Sequence, residues 1–186
     1  KLPLKKNYLL LLSRYSAKEK KFVVEIKELD NFETLHSYEI YDDEVKKKIN
    51  NKKEFKTFLN RTSNKNILKS PALLDDGSII FQQEYGPLVK KDFCGKISWV
   101  NTHDQFHHYI YLTQNNEIFV PTSLYPYSDL VTKHRKDMNF KDDAITLLNG
   151  DGKIIYQKSV IEILNENNLY SDELFKNDDP IHLNKI

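Results

Sequence analysis

Cysteine is almost absent from this chain of 186 residues, because Cys94 is the single example. One cysteine can form neither an internal disulfide nor a cysteine-based zinc site. Long apolar runs are absent as well: the longest, residues 8–12, has the length of a strand, whereas a bilayer-spanning helix needs roughly 18 apolar residues. An excess of one charge is also lacking, since 28 basic residues face 27 acidic ones for a net charge of +1. Nothing electrostatic therefore predicts a nucleic-acid partner.

Aromatic and apolar residues are present in the amounts that a globular core requires. Hydrophobic residues make up 39% of the chain, which contains ten phenylalanines and eleven tyrosines. This content argues against wholesale disorder. At 22.0 kDa the chain has the size of one domain or of part of a larger one. It opens on the charged stretch 1–6 without Met or a signal-peptide pattern, so we expect a processed or clipped end.

Similar segments recur along the chain. Residues 74–81 and 113–120 each read as a turn followed by a β-rich run, about 39 positions apart. Each is followed by two further strand-like runs, and a looser third copy spans residues 8–40. Turn signals such as Asp76-Gly77 separate the runs, as in β-hairpins. A unit of about 40 residues built from short antiparallel strands is typical of a β-propeller blade, with an unrelated β-sandwich as the alternative.

Two stretches interrupt this pattern. Residues 43–60 carry many lysines and a few apolar side chains, which predicts one or two short helices with an apolar edge and a solvated lysine face. Residues 124–142 enlarge the third unit and contain Tyr125, Tyr127 and His134. An aromatic and basic insertion between blade strands suits a lid or rim loop, although a passive surface excursion fits equally well.

The number of units predicts an incomplete ring. Propellers close with roughly four to eight blades, whereas residues 1–186 supply about three to four. We therefore expect one all-β domain, an incomplete β-propeller with a short helical insertion, from the N-terminal part of a longer protein. Parallel α/β architecture is disfavoured because regular helices do not separate the strands.

Histidines mark the candidate chemistry. His107 and His108 open the third unit, and His182 opens the next. Innermost strands of successive propeller blades face one central channel, so these imidazoles could converge although about 75 residues separate them. If residues 107 and 108 lie on a strand, they point to opposite faces, and we prefer His108 for the site.

Two motifs resemble those of the arylsulfotransferase family. His107-His108-Tyr109-Ile110 is similar to the histidine-pair strand of that family, and residues 179–184 are similar to its Asp-x-x-His-x-Asn motif. The resemblance covers most of residues 68–186. It implies a β-propeller, six-bladed in the best-known type and typically exported to the bacterial periplasm. It also implies sulfuryl transfer from an aryl sulfate ester to a phenol through a sulfated histidine, without a nucleotide donor.

The resemblance implies roles for particular residues. His107 or His108 matches one channel histidine and His182 another, so these three are the catalytic candidates. Asn184 in the second motif is a candidate for substrate binding, as are Tyr125 and His134 in the rim insertion. A neutral imidazole is a good nucleophile or proton carrier near neutral pH. The implied partners are small aryl sulfates and phenols, with no cofactor and no metal, in a periplasmic or secreted protein; the oligomeric state stays open.

Other readings of the same residues stay open. His103 and Asp104 with the histidine pair could form a metal cluster if His103 and His107 shared a helix face. A non-catalytic propeller that binds a protein or glycan is a further alternative, because fold alone does not decide function. A quinone-dependent dehydrogenase is a third, disfavoured because Trp99 stands without the expected tryptophan repeats.

The sequence also departs from the family pattern. Tyr109 stands where the family commonly has Asp, and Lys185 where an acidic residue usually follows. The resemblance places an arginine and the sulfuryl-carrying histidine downstream of residues 179–184. We therefore expect the 186-residue chain alone to release no phenol from a chromogenic aryl sulfate, measured by absorbance. Robust turnover by this chain would contradict the assignment of roles.

Overall fold

The structure is a computed structural model that describes residues 8–40, 42–49, 52–60, 68–137 and 139–184. It consists of two antiparallel β-sheets, of three and eight strands, with a few short helices. The all-β class expected from the sequence is confirmed. Within these ranges, no helix is both long and apolar enough to cross a membrane.

The smaller sheet is formed by the N-terminal strands. Its order is β1 (Leu9–Ser16), β2 (Lys21–Glu28) and β3 (Thr34–Ile40), joined antiparallel. The central strand β2 is buried over most of its length, because neighbours cover both of its edges. Arg14 donates two hydrogen bonds, of 3.0 and 2.7 Å, to the carboxylate of Glu25 across the β1–β2 ladder.

The helical insertion predicted near residues 43–60 is present. It consists of α1 (Asp42–Ile49), a 3-10 turn (Lys53–Phe55) and α2 (Lys56–Asn60); residues 50 and 51 lie outside the described ranges. The apolar side chains of these helices are buried in a core shared by both sheets. They are Val45, Ile49, Phe55 and Phe58. The insertion therefore joins the small sheet to the large one by hydrophobic packing.

The larger sheet contains the remaining strands in two successive up-and-down runs. The first run is β4 (Leu68–Leu73), β5 (Ile79–Gln83), β6 (Gly86–Lys91) and β7 (Ile97–Phe106). The second run is β8 (Tyr111–Leu112), β9 (Ile118–Ser123), β10 (Asp143–Leu148) and β11 (Ile154–Ser159). Each neighbouring pair is antiparallel.

The two runs join at one point. Gln105 and Phe106, which end β7, pair with Ser123 and Thr122 of β9, just beyond the short strand β8. This makes one continuous sheet of what would be two four-stranded blades. With the three-stranded sheet, the arrangement is consistent with an incomplete propeller-like β fold. Closure of the ring and equivalence of the units stay predictions.

The rim insertion at residues 124–142 packs against the C-terminal part of the chain. It contains α3 (Asp129–His134), which lies beside α4 (Val160–Glu166) and a 3-10 helix (Asp172–Lys176). A small apolar core joins these elements; its buried members are Val131, Phe140 and Ile161. Met138, which the sequence places in the insertion, lies outside the described residues.

Two turn glycines adopt the same left-handed conformation in different surroundings. Gly152 has φ +76°, and a Cβ there would lie 2.8 Å from the Trp99 ring. Gly95 has φ +81°, and a Cβ there would point into open space, with no contact within 4 Å among the described residues beyond its chain neighbours. The turn that contains Gly152 is held by strand β7. Trp99 Nε1 donates to the Gly150 carbonyl at 3.2 Å, and Asn101 Nδ2 donates to the Gly152 carbonyl at 2.8 Å.

The pair provides a test of how tightly β7 packs on this turn. Gly95→Ala should cost about 1 kcal/mol of unfolding free energy, which is the penalty of the left-handed backbone alone. Gly152→Ala should cost a further ~1–3 kcal/mol, because the methyl group overlaps the Trp99 ring. Urea denaturation of both variants measures the difference. Equal losses would contradict the packing described here.

Candidate functional site

Three histidine rings lie together where two distant segments meet. The centroids of His107 and His108 are 4.9 Å apart, and those of His108 and His182 are 5.1 Å apart; both pairs are edge-to-face. Residues 107–110 form a loop between β7 and β8, with His108 at φ +61°. The strand alternation expected for residues 107 and 108 therefore does not apply, and their rings touch instead of facing opposite sides.

His107 is the inner member of this histidine cluster. It is buried, with Nε2 3.2 Å from Asp143 Oδ1, although the ring N–H direction does not meet hydrogen-bond geometry. Tyr85 packs on its other side at 5.4 Å between ring centroids. Neither ring nitrogen has a hydrogen-bond partner within the described part of the chain. Its position suits the support of His108 more than contact with a substrate.

His108 is half-buried, and its environment favours the neutral imidazole. Burial lowers its pKa below the ordinary value of 6.5, and the nearby charges of His107, His182 and Lys69 lower it further, while Asp143 opposes them. Its carbonyl oxygen accepts a 2.6 Å hydrogen bond from Gln82 Nε2, which fixes the loop on β5. A neutral ring can donate from one nitrogen and accept at the other.

His182 has the opposite tendency. Its Nδ1 lies 2.8 Å from Asp179 Oδ2, and this hydrogen bond and charge raise its pKa above 6.5; the charge of Asp143 adds to the effect, against burial and Lys141. The ring is exposed, so solvent reaches it. Two adjacent imidazoles whose pKa values are shifted in opposite directions can differ in protonation over part of the pH range.

Two lysines add positive charge at the edges of the histidine cluster. Lys69, on β4, influences His108 electrostatically, and Lys141 influences His182. The ammonium group of Lys141 lies 3.7 Å above the ring of Tyr85, in a cation–π contact. Together with His182, these groups add positive charge near the cluster, and Lys69 also lies 3.9 Å from the Glu84 carboxylate.

The remaining candidates for substrate binding lie in different places. Asn184 is exposed beside the cluster, where its Nδ2 donates to the His182 carbonyl at 3.2 Å. Tyr125 begins the rim insertion, and its amide donates to Asp104 Oδ1 at 3.1 Å. His134 stacks on Phe175 at 4.3 Å with 5° between the planes, so it packs the insertion against the C-terminal segment and is not brought to the other histidines.

One buried residue that sequence reasoning did not select is Asp143. Its Oδ2 accepts a 2.7 Å hydrogen bond from the amide of Leu183, next to His182. The signal in the sequence is an acidic pair, Asp142-Asp143, at the start of the apolar strand β10. Buried carboxylates at a strand start are uncommon unless they are paired, which marks this pair for attention.

The helical metal-cluster hypothesis is wrong in its geometry. His103 lies on strand β7 and is exposed, whereas His107 is buried in the loop that follows. Across the described ranges, no group of three or more His, Cys, Asp or Glu residues could hold a metal ion. Asp104 instead accepts from Gln157 Nε2 at 2.8 Å within a buried polar network.

A groove of about 570 Å³ borders the histidine loop. It lies between β1, β4 and β8, and its walls mix polar and apolar groups. Tyr109 and Tyr111, both substantially exposed, form one side, and Ser70 lies on the other. The groove offers aromatic surface within a few residues of His108 along the chain.

A protein-family comparison covers the segment that carries this site. Residues 70–186, well over half of the chain, match the family model described as arylsulfotransferase (ASST). The match includes every member of the histidine cluster. No curated protein matches the chain. The chain belongs to the arylsulfotransferase family, and an arylsulfotransferase-like function follows in general terms.

The opposed behaviour of the two outer histidines can be measured directly. In an NMR titration of the ring protons, His108 should titrate below pH 6.5 and His182 above it, for the causes given above. His182→Ala should raise the midpoint of His108, because a neighbouring positive charge is removed. His36→Ala, in the small sheet, is the control and should leave that midpoint in place. Coincident midpoints in the unmodified chain would refute the polarised pair.

Proposed function

We propose that the histidine cluster assists the transfer of a sulfuryl group from an aryl sulfate ester to a phenolic acceptor through a histidine intermediate. The observation that carries the proposal is the meeting of His107, His108 and His182 within the region that the family model matches. A purely structural core cluster would bury all three rings, whereas His182 is exposed and His108 is half-exposed. The geometry therefore leaves room for a ligand at the outer two rings.

The outer histidines divide the work between proton transfer and charge. In the first half-reaction a ring nitrogen of the sulfuryl-carrying histidine, which the family resemblance places downstream, forms an S–N bond as the S–O bond to the aryl group breaks. The protonated His182 gives its proton to the departing phenolate oxygen. In the second half-reaction neutral His182 takes the proton of the acceptor phenol, the phenol oxygen forms the new S–O bond, and the S–N bond to the carrier histidine breaks. His108, kept neutral, donates from its ring N–H to a sulfuryl oxygen. Atoms and charges balance over the two steps, and no redox partner is required.

The sulfuryl carrier is a separate group in this proposal. The family resemblance places the sulfated histidine downstream of residues 179–184, so His108 and His182 assist it. His107 holds the ring of His108 by edge-to-face packing.

Substrate contacts follow from the positions of polar and aromatic groups around the cluster. Lys69 and Lys141 supply positive charge for the sulfate, and Asn184 presents an amide beside His182. Tyr125 is our candidate for contact with the aromatic ring at the rim. His134 contributes by packing the rim insertion on Phe175, a smaller role than direct contact. No cofactor enters the proposal, and we place the protein in the periplasm or outside the cell on family resemblance.

Substitution of the outer histidines tests this function. In the full natural protein, His182→Ala should lower kcat/KM for 4-nitrophenyl sulfate by about 10²–10⁴-fold, because the leaving phenolate loses its proton donor. His108→Ala should lower it by about 10²-fold or more, because a donor to the sulfuryl oxygens is lost. His36→Ala, in the other sheet, is the matched control and should retain activity.

The pH profile provides a second readout. Activity should fall at alkaline pH, because His182 loses the proton that it gives to the departing phenolate oxygen. If both variants turned over substrate as fast as the wild type, the assigned roles would be excluded. Absence of turnover together with retained binding of aryl sulfate would favour the non-catalytic binding module.

A further inference from the structure

A single buried carboxylate lies between the two segments that carry the histidines. Asp143 is the first residue of β10, and its backbone pairs with Ser123 of β9, so the sheet fixes where its side chain begins. The residue is 2% exposed. Its Oδ1 lies 3.2 Å from His107 Nε2, and its Oδ2 accepts a 2.7 Å hydrogen bond from the Leu183 amide. One side chain therefore touches both segments.

Burial makes these contacts strong constraints. An ionised carboxylate is costly to remove from water unless donors or positive charge compensate it. Hydrogen bonds to a carboxylate are shorter and stronger than neutral ones, and the 2.7 Å bond from Leu183 fits that description. Release of Leu183 would leave Asp143 buried with its compensation reduced. The carboxylate therefore opposes undocking of the segment.

The His182 segment depends on such contacts because residues 177–184 have no regular secondary structure. Two backbone bonds also hold it: the Lys141 amide donates to the Asp178 carbonyl at 2.6 Å, and the Tyr109 amide donates to the Asn184 carbonyl at 3.3 Å. Of these three hydrogen bonds, the one from the Leu183 amide is accepted by a side chain of the sheet, that of Asp143 on β10. It also lies next to His182 in the chain.

We propose that Asp143 is a positioning residue, whose carboxylate docks the His182 segment against the His107–His108 loop and so assembles the site. Its catalytic consequence rests on the proposed sulfuryl transfer, whereas the docking itself does not. The reaction needs His108 and His182 at a fixed separation, and small misplacements of reacting groups are expensive in rate. The charge of Asp143 also acts on both rings. It adds to the raised pKa of His182, and it opposes the groups that lower the pKa of His108.

Other charged groups face the same two rings and are held constant in the test. His107 and Lys69 act on His108, and Asp179 and Lys141 act on His182.

The neighbouring Asp142 is a matched control. It is also buried, and its Oδ1 and Oδ2 accept from Ser159 Oγ at 2.6 Å and from the Ser128 amide at 2.7 Å. These partners belong to the start of α4 and to the rim insertion, because successive side chains at a strand start point to opposite sides. Asp142→Asn therefore removes an equally buried charge that makes no direct side-chain hydrogen bond to the histidine segments.

The docking is tested by NMR on the 186-residue chain. Asp143→Ala should increase hydrogen exchange of the Leu183 amide by tenfold or more, because its acceptor is lost. Asp143→Asn keeps an oxygen acceptor but no charge, so exchange should stay near wild type while the midpoints of His108 and His182 both fall. Asp142→Asn should change neither readout. If Asp143→Ala fails to fold, Asp143→Leu, which fills a similar volume but offers no acceptor, replaces it in the exchange measurement.

Activity of the full natural protein is the second readout. With 4-nitrophenyl sulfate, Asp143→Ala should lower kcat by about 10²-fold with little change in KM, and Asp143→Asn should restore part of the loss. Unchanged Leu183 exchange and unchanged histidine midpoints in the Asp143 variants would overturn the proposal, as would unchanged kcat in Asp143→Ala. Expected NMR results without any wild-type turnover would uphold the docking and refute the sulfuryl-transfer function.

Discussion

The buried charge of Asp143 is the constraint around which the candidate site is built. A buried carboxylate at the start of a central strand requires compensation. The Leu183 amide donates to it at 2.7 Å, and His107 Nε2 lies 3.2 Å away. Because these partners come from segments about 75 residues apart, compensation of one charge also brings the histidines together. The backbone ladder between β9 and β10 makes the anchor rigid. The hydrogen bond that compensates the Asp143 carboxylate is thus also the contact that docks the His182 segment.

The rim insertion supports the same segment from the other side. Arg135 pairs with Asp137 and Asp178, and its guanidinium also donates to the Phe175 carbonyl at 2.8 Å. These carboxylates raise the pKa of Arg135, and Arg135 lowers the pKa of Asp137 to about 2. Each exposed ion pair contributes little stabilisation free energy, so the apolar core beneath them provides most of the stabilisation of this packing. The sequence predicted a lid or a passive loop for residues 124–142. In the structure this insertion packs against the C-terminal segment.

Electrostatics then differentiates two identical side chains. Burial lowers the pKa of His108 and the Asp179 carboxylate raises that of His182, although the rings are only 5.1 Å apart. Their proximity strengthens the difference, because a positive charge on one disfavours a charge on the other. A neutral donor beside a protonated one suits a reaction in which a sulfuryl group leaves an aryl oxygen. The lysines at positions 69 and 141 add to the positive side.

Local patterns in the sequence determined the strands, the turns and the helical insertion at residues 43–60, because hairpin signals and apolar spacing act over a few residues. The family motifs identified the three histidines by type and order. The orientation of residues 107 and 108 was decided only by tertiary structure, since a left-handed backbone at His108 replaces the expected strand. The roles of Asp143 and His134 also depended on it. Compensation of a buried charge and stacking on Phe175 involve partners about 40 residues distant, which no local pattern encodes.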